Sequence, residues 1–127
     1  MTVDRMIMLA GAIAGFSGVI LAAAGSHMLP GLDNTESFRS WQSANDMHLL
    51  HSVLLIALAS VYRQSGTRML LLASVVITAG IIVFSGSIYL SLAASMAGAT
   101  RFAPLGGSLL ILGWLLIAVH AMRPVRK

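Results

Sequence analysis

Four long apolar runs, none interrupted by a charged residue, narrow most sharply what this chain can become. They cover Met6–Gly25, Met47–Tyr62, Met69–Met96 and Pro104–Met122. An apolar helix needs roughly 20 residues to cross a hydrocarbon core of about 30 Å. Inside lipid each backbone amide must be bonded within the protein, so a run of this kind spans as a helix. The pattern predicts an all-α polytopic membrane protein, a four-transmembrane-helix bundle. It forms a single domain over residues 1–127, with spans near 6–25, 47–62, 69–96 and 104–122. Residues 26–46 form an outer loop or an interfacial helix. Composition agrees: 57% of residues are hydrophobic, 9% are charged, and the mean hydropathy is +0.89. Soluble domains carry about 25% charged residues.

The second run is short, and its helix starts earlier. Asn34 and Thr35 are good N-cap residues, and Glu36 suits a first helical turn. The expectation is one long helix from near Thr35, or a short interfacial helix bent into the span. Phe38 and Trp41, spaced i, i+3, are placed at the membrane interface. The first run ends in Ala22, Ala23 and Ala24, small enough for a signal-peptide cleavage site. It is longer than an ordinary h-region, and Asp4 offsets Arg5, so it is read as a span.

Net charge is +4, from 8 Lys and Arg against 4 Asp and Glu. The basic residues are few, scattered and placed beside apolar runs, which fits membrane lipids as partners and excludes nucleic acid. Arg5, Arg63, Arg68, Arg123, Arg126 and Lys127 fall on one side of the membrane, and Arg39 and Arg101 on the other. The heavier side is cytoplasmic by the positive-inside rule. Both termini are therefore expected to face the cytoplasm. There is no cysteine, which excludes disulfides, thiolate chemistry and cysteine-bound metal.

Leu packs against lipid as comfortably as against Leu, so small residues mark helix contacts. Gly11 and Gly15 form a G-x-x-x-G ridge that Gly18 and Ala22 extend. Ser74, Thr78, Gly80, Gly86 and Ser87 line the third run. Gly106, Gly107 and Gly113 mark the fourth. Several such ridges point to self-association or to another membrane protein. Singly, the Ser and Thr hydroxyls are read as bonding the carbonyl one turn back.

Four histidines lie in or at the ends of the spans. His120 is an interface residue beside Arg123. His27, His48 and His51 are all placed at the outer end of the bundle, His51 about one turn below the surface. Ser85, Ser87 and Tyr89 approach the same outer half. Gly106 and Gly107 begin the last helix there, with its unpaired amides. The leading reading is structural: His51 bonds a hydroxyl or carbonyl and sets helix register. The second is a site for a small molecule, ion or lipid headgroup. The third is copper or zinc on His27, His48 and His51, with Met28 or Met47. The i, i+3 histidine pair arises readily by chance, so no metal is assigned. No acidic pair, phosphate loop, H-E-x-x-H or G-x-S-x-G is present. Phe84-Ser85-Gly86-Ser87 resembles a nucleophile elbow only superficially, being inside a helical run. The expectation is a non-enzymatic accessory, assembly or interaction component without a cofactor.

Four elements resemble the YgdD-like small membrane proteins, a bacterial inner-membrane family of unknown function with mitochondrial relatives. Gly25-Ser26-His27-Met28-Leu29 is similar to its G-A-H-G-L element. Met47-His48-Leu49-Leu50-His51 is similar to Y-x-x-x-H, with Met47 at or next to the aromatic position. Phe84 to Leu90 matches F-S-G-S-L-Y almost fully. Ala103-Pro104-Leu105-Gly106-Gly107, followed by Gly113-Trp114, is similar to T-P-x-G-G…G-W. The resemblance implies four membrane helices and supplies no mechanism. It singles out His27, His51, Ser85, Ser87, Tyr89, Gly106 and Gly107 as one candidate polar cluster.

Overall fold

The computed structural model describes residues 1–27, 35–94 and 96–123. Four long helices make up the fold: α1 (Val3–His27), α2 (Thr35–Ser65), α3 (Arg68–Ala93) and α4 (Ala103–Ala121), with a short 3₁₀ helix, Ala97–Phe102, leading into α4. All four are long and apolar enough to cross a membrane. The cap candidate Asn34 and the basic residues Arg126 and Lys127 lie outside the described residues, as does Met28.

Local sequence explains the ends. Asp4 and Glu36 sit in the first turns of α1 and α2, where the helix dipole favours a negative charge, and Arg63 sits in the last turn of α2. Of the two forms considered for residues 35–65, the structure has the single long helix. Its 31 residues span about 46 Å at about 1.5 Å per residue, more than a bilayer core requires. The exposed polar first turns therefore stand beyond the hydrocarbon. Gly66 closes α2 at φ +59°, with its N–H donating to the Tyr62 carbonyl at 2.7 Å. A side chain strains that left-handed cap, so glycine is the natural residue there. The Thr67 carbonyl then accepts from the Leu70 and Leu71 amides to start α3. Pro104 occupies the first turn of α4, where its missing N–H costs nothing.

Each helix packs on its neighbour in sequence, α1 on α2, α2 on α3 and α3 on α4. The backbones of α1 and α3 approach at few points, and those of α1 and α4 at none among the described residues. Burial follows: 44% and 39% of the most apolar stretches of α2 and α3 are buried, against 17% for α1 and for α4. The bundle is thus an open row folded around α2 and α3, with α1 and α4 facing lipid. Small residues set the approach. Gly11 and Gly18 let α1 lie against Ile56 and Leu49 of α2, and Gly80 admits Leu110 of α4. The main core joins Ile7, Leu55, Leu58, Leu70, Ile77 and Leu110. A second one, nearer the start of α2, joins Trp41, Ala44 and Tyr89.

Candidate functional site

Trp41, Asn45, His48 and Ser52 recur at i, i+4, i+7 and i+11 on α2, which is one helix face. All four are buried. That face meets the small-residue ridge of α1. The Trp41 indole donates to the Leu21 carbonyl at 3.1 Å. Asn45 donates one amide hydrogen to the Gly18 carbonyl at 2.8 Å and the other to the Tyr89 hydroxyl at 3.3 Å. Carbonyls exposed by glycine and small neighbours thus act as acceptors between helices.

The Tyr89 hydroxyl, already accepting from Asn45, directs its own hydrogen toward Nδ1 of His48 at 3.5 Å. His48 then carries its hydrogen on Nε2, which faces the Ser17 hydroxyl at 3.4 Å. Ser17 donates in turn to the Ile13 carbonyl at 2.9 Å. The relay Asn45–Tyr89–His48–Ser17 has one consistent direction, and its two contacts to His48 are long for hydrogen bonds. The Trp41 and Tyr89 rings lie 4.7 Å apart between centroids at 53°, a tilted aromatic pair.

His51 is elsewhere. Its Nδ1 lies 2.7 Å from the Met47 carbonyl, and the Trp114 indole N–H donates to its Nε2 at 3.1 Å. A carbonyl only accepts and an indole N–H only donates. The two bonds therefore select one tautomer, neutral with the hydrogen on Nδ1. His51 is 2% exposed and ties α2 to α4.

The residues singled out from sequence therefore separate. Tyr89 joins His48, which sequence had considered only as a metal ligand. Ser85, 1% exposed, donates to the Ala44 carbonyl of α2 at 2.8 Å. Ser87 bonds back to the Phe84 carbonyl at 2.9 Å, on the α4 side. Gly106 is buried against the Phe84 backbone, and Gly107 faces the Phe84 ring. His27 ends α1; its side chain lies outside the described residues. Among the described residues, no group of three His, Asp or Glu side chains is placed to share a metal ion.

Sequence reasoning missed Ser17, Asn45 and Trp114, and placed Trp41 at the interface. Trp41 is instead buried in a niche where Gly25 has no side chain. The i, i+4, i+7, i+11 stripe was a usable signal for Trp41, Asn45 and His48. Nothing local pairs Trp114 with His51. His120 is half-buried, with its Nδ1 enclosed.

Between α1 and α3 runs a long cleft. One part, about 380 Å³, is lined by Ala14, Ser17, His48, Ile82, Gly86 and Tyr89, among others. A second, about 570 Å³, continues past Ala10, Thr78 and Ile82 toward Val3 and Leu71. Neither is lined by a charged side chain.

Comparison with known proteins adds the family. Residues 21–107 match the family described as protein of unknown function, DUF423. The UPF0382 membrane protein YwdK of Bacillus subtilis is 29% identical over 120 residues, covering 94% of this chain and 98% of the relative. The UPF0382 inner membrane protein YgdD of Escherichia coli is 28% identical over 124 residues, covering 98% and 95%. No solved structure matches the chain.

Proposed function

The chain belongs to the DUF423 family of membrane proteins of unknown function, and from that premise we propose that it works as a non-enzymatic component of the bacterial inner membrane. It associates through the lipid-facing sides of α1 and α4 with other membrane helices. One observation carries this reading. The interior polar side chains of Ser85, Asn45 and His51 are engaged in bonds between helices, and the Ser17 hydroxyl beside His48 donates to the Ile13 carbonyl, so among the described residues no serine in the bundle is seen donating to a base. Chemistry at a Ser needs such a base within hydrogen-bond reach. Meanwhile α1 and α4 keep most of their surface outside the bundle.

Phe16 on α1 and Ile111 on α4 are 71% and 72% exposed, and the chain has no cysteine of its own. Phe16→Cys and Ile111→Cys therefore report on neighbours cleanly. A bifunctional maleimide applied to native membranes is expected to give a discrete adduct at one position or both. Monomer alone at both positions would sink the proposal.

The distribution of Lys and Arg supports cytoplasmic termini. Gln42, exposed near the start of α2, then faces outward, and Gln64, exposed near its end, faces the cytoplasm. In spheroplasts an impermeant maleimide is expected to label Gln42→Cys nearly fully and Gln64→Cys only after lysis. The opposite pattern inverts the topology.

A further inference from the structure

We propose that the cleft between α1 and α3 binds a membrane quinone, with the ring against His48 and the single tail along the α1–α3 seam. This reaches beyond an assembly role and does not depend on it. Taking Tyr62, the last residue of the second apolar run, as the inner edge of a core of about 30 Å, His48 is about 21 Å in at about 1.5 Å per residue. It therefore sits about 9 Å below the nearer surface, where a charged headgroup is expensive and a neutral ring is not.

The lining agrees with that depth. The lining is uncharged: Ser17, His48 and Tyr89 lie in the first part, Thr78 lines both parts and Ser74 the second, and neither part contains Lys, Arg, Asp or Glu. A phosphate has no cation to meet there. His48 is 8% exposed, and its two contacts, at 3.4 and 3.5 Å, are long. The bonding direction of the relay puts a hydrogen on Nε2, the nitrogen toward Ser17 and the cleft. A carbonyl oxygen complements that donor, and a quinone ring offers two. Below the ring site the seam is bounded by Ala10, Thr78 and Ile82 and then by mainly apolar side chains of both helices, the hydroxyls of Ser74 and Thr78 being bonded back onto α3. Ile13 and Ile82, 58% and 67% exposed, form rims open to the lipid phase, so a ligand enters sideways from the bilayer.

Gly86 supplies a gentle test. A Cβ placed on it meets no atom within 4 Å, and glycine is a poor helix former. Gly86→Leu therefore blocks the ring site without crowding the fold. Decylubiquinone is titrated into the full-length protein in phosphatidylcholine nanodiscs, read by tryptophan fluorescence, since the Trp41 ring contacts Tyr89, which lines the cleft. Wild type is expected to show saturable quenching. Gly86→Leu and His48→Phe are expected to weaken binding at least tenfold, Gly86→Leu with no fall in thermal stability. Should His48→Phe fail to fold, Gly86→Leu decides alone. Quenching that rises linearly with quinone in all three proteins overturns the site. Equal displacement of quinone by dioleoylglycerol overturns the quinone assignment, because the cleft would then accept any carbonyl-bearing lipid.

Discussion

Gly106→Val is expected to destroy the docking of α4 on α3, whereas Gly107→Ala, one residue on, is expected to be nearly silent. A Cβ on Gly106 would fall onto the backbone nitrogen and Cα of Phe84, which are main-chain atoms of a helix and cannot swing aside. The same atom on Gly107 meets only the Phe84 ring, at 3.8 and 4.0 Å, an ordinary contact. Membrane helices are held by close packing rather than by expulsion of water, so lost approach is not offset elsewhere. Overpacking costs about 1–3 kcal/mol in ordinary cores and more where backbone must move. We expect about 3 kcal/mol or more for Gly106→Val and less than about 0.5 kcal/mol for Gly107→Ala. Reversible unfolding in mixed micelles measures both. Equal stability of the two variants would show that α3 and α4 do not meet at this point.

Trp114→Phe gives the second large effect. It removes the one donor to Nε2 of His51 and leaves a buried acceptor inside the bundle. Leaving such a group without a partner costs about 1–3 kcal/mol, while deleting both partners is far cheaper. Interhelical hydrogen bonds in bilayers average about 0.6 kcal/mol and reach about 1.7 kcal/mol. The expected signature is therefore non-additive: Trp114→Phe and His51→Leu each destabilise, and the double variant loses less than their sum by about 1 kcal/mol. Additive losses would mean that the indole and imidazole do not interact. The cycle also bears on function, since it treats His51 as a tie between α2 and α4 rather than as a ligand group.

These two expectations mark how far the sequence reaches. His48 and His51 are three residues apart, about 300° of helical rotation, so they point about 60° apart. From sequence they share a face. In the bundle that difference turns His48 toward Tyr89 and α1 and turns His51 toward Trp114 on α4. Trp41 followed the same logic. Its amphipathic ring suits an interface, yet Gly25 opens a niche on α1 and the Leu21 carbonyl satisfies the indole. Ser85 carries no local mark that its acceptor is Ala44.

Fold class, the number of spans and the small-residue ridges were readable from the chain alone. Each depends on a local property: the free energy of placing a short stretch of residues in lipid, or the absence of a side chain at one position. Which polar groups meet was decided by tertiary structure, because a hydrogen bond of about 3 Å depends on the depth and rotation of two helices together. Hydropathy places a helix across the membrane and is nearly blind to its rotation, and that rotation assigned Asn45 and His48 to Tyr89 and gave His51 to Trp114.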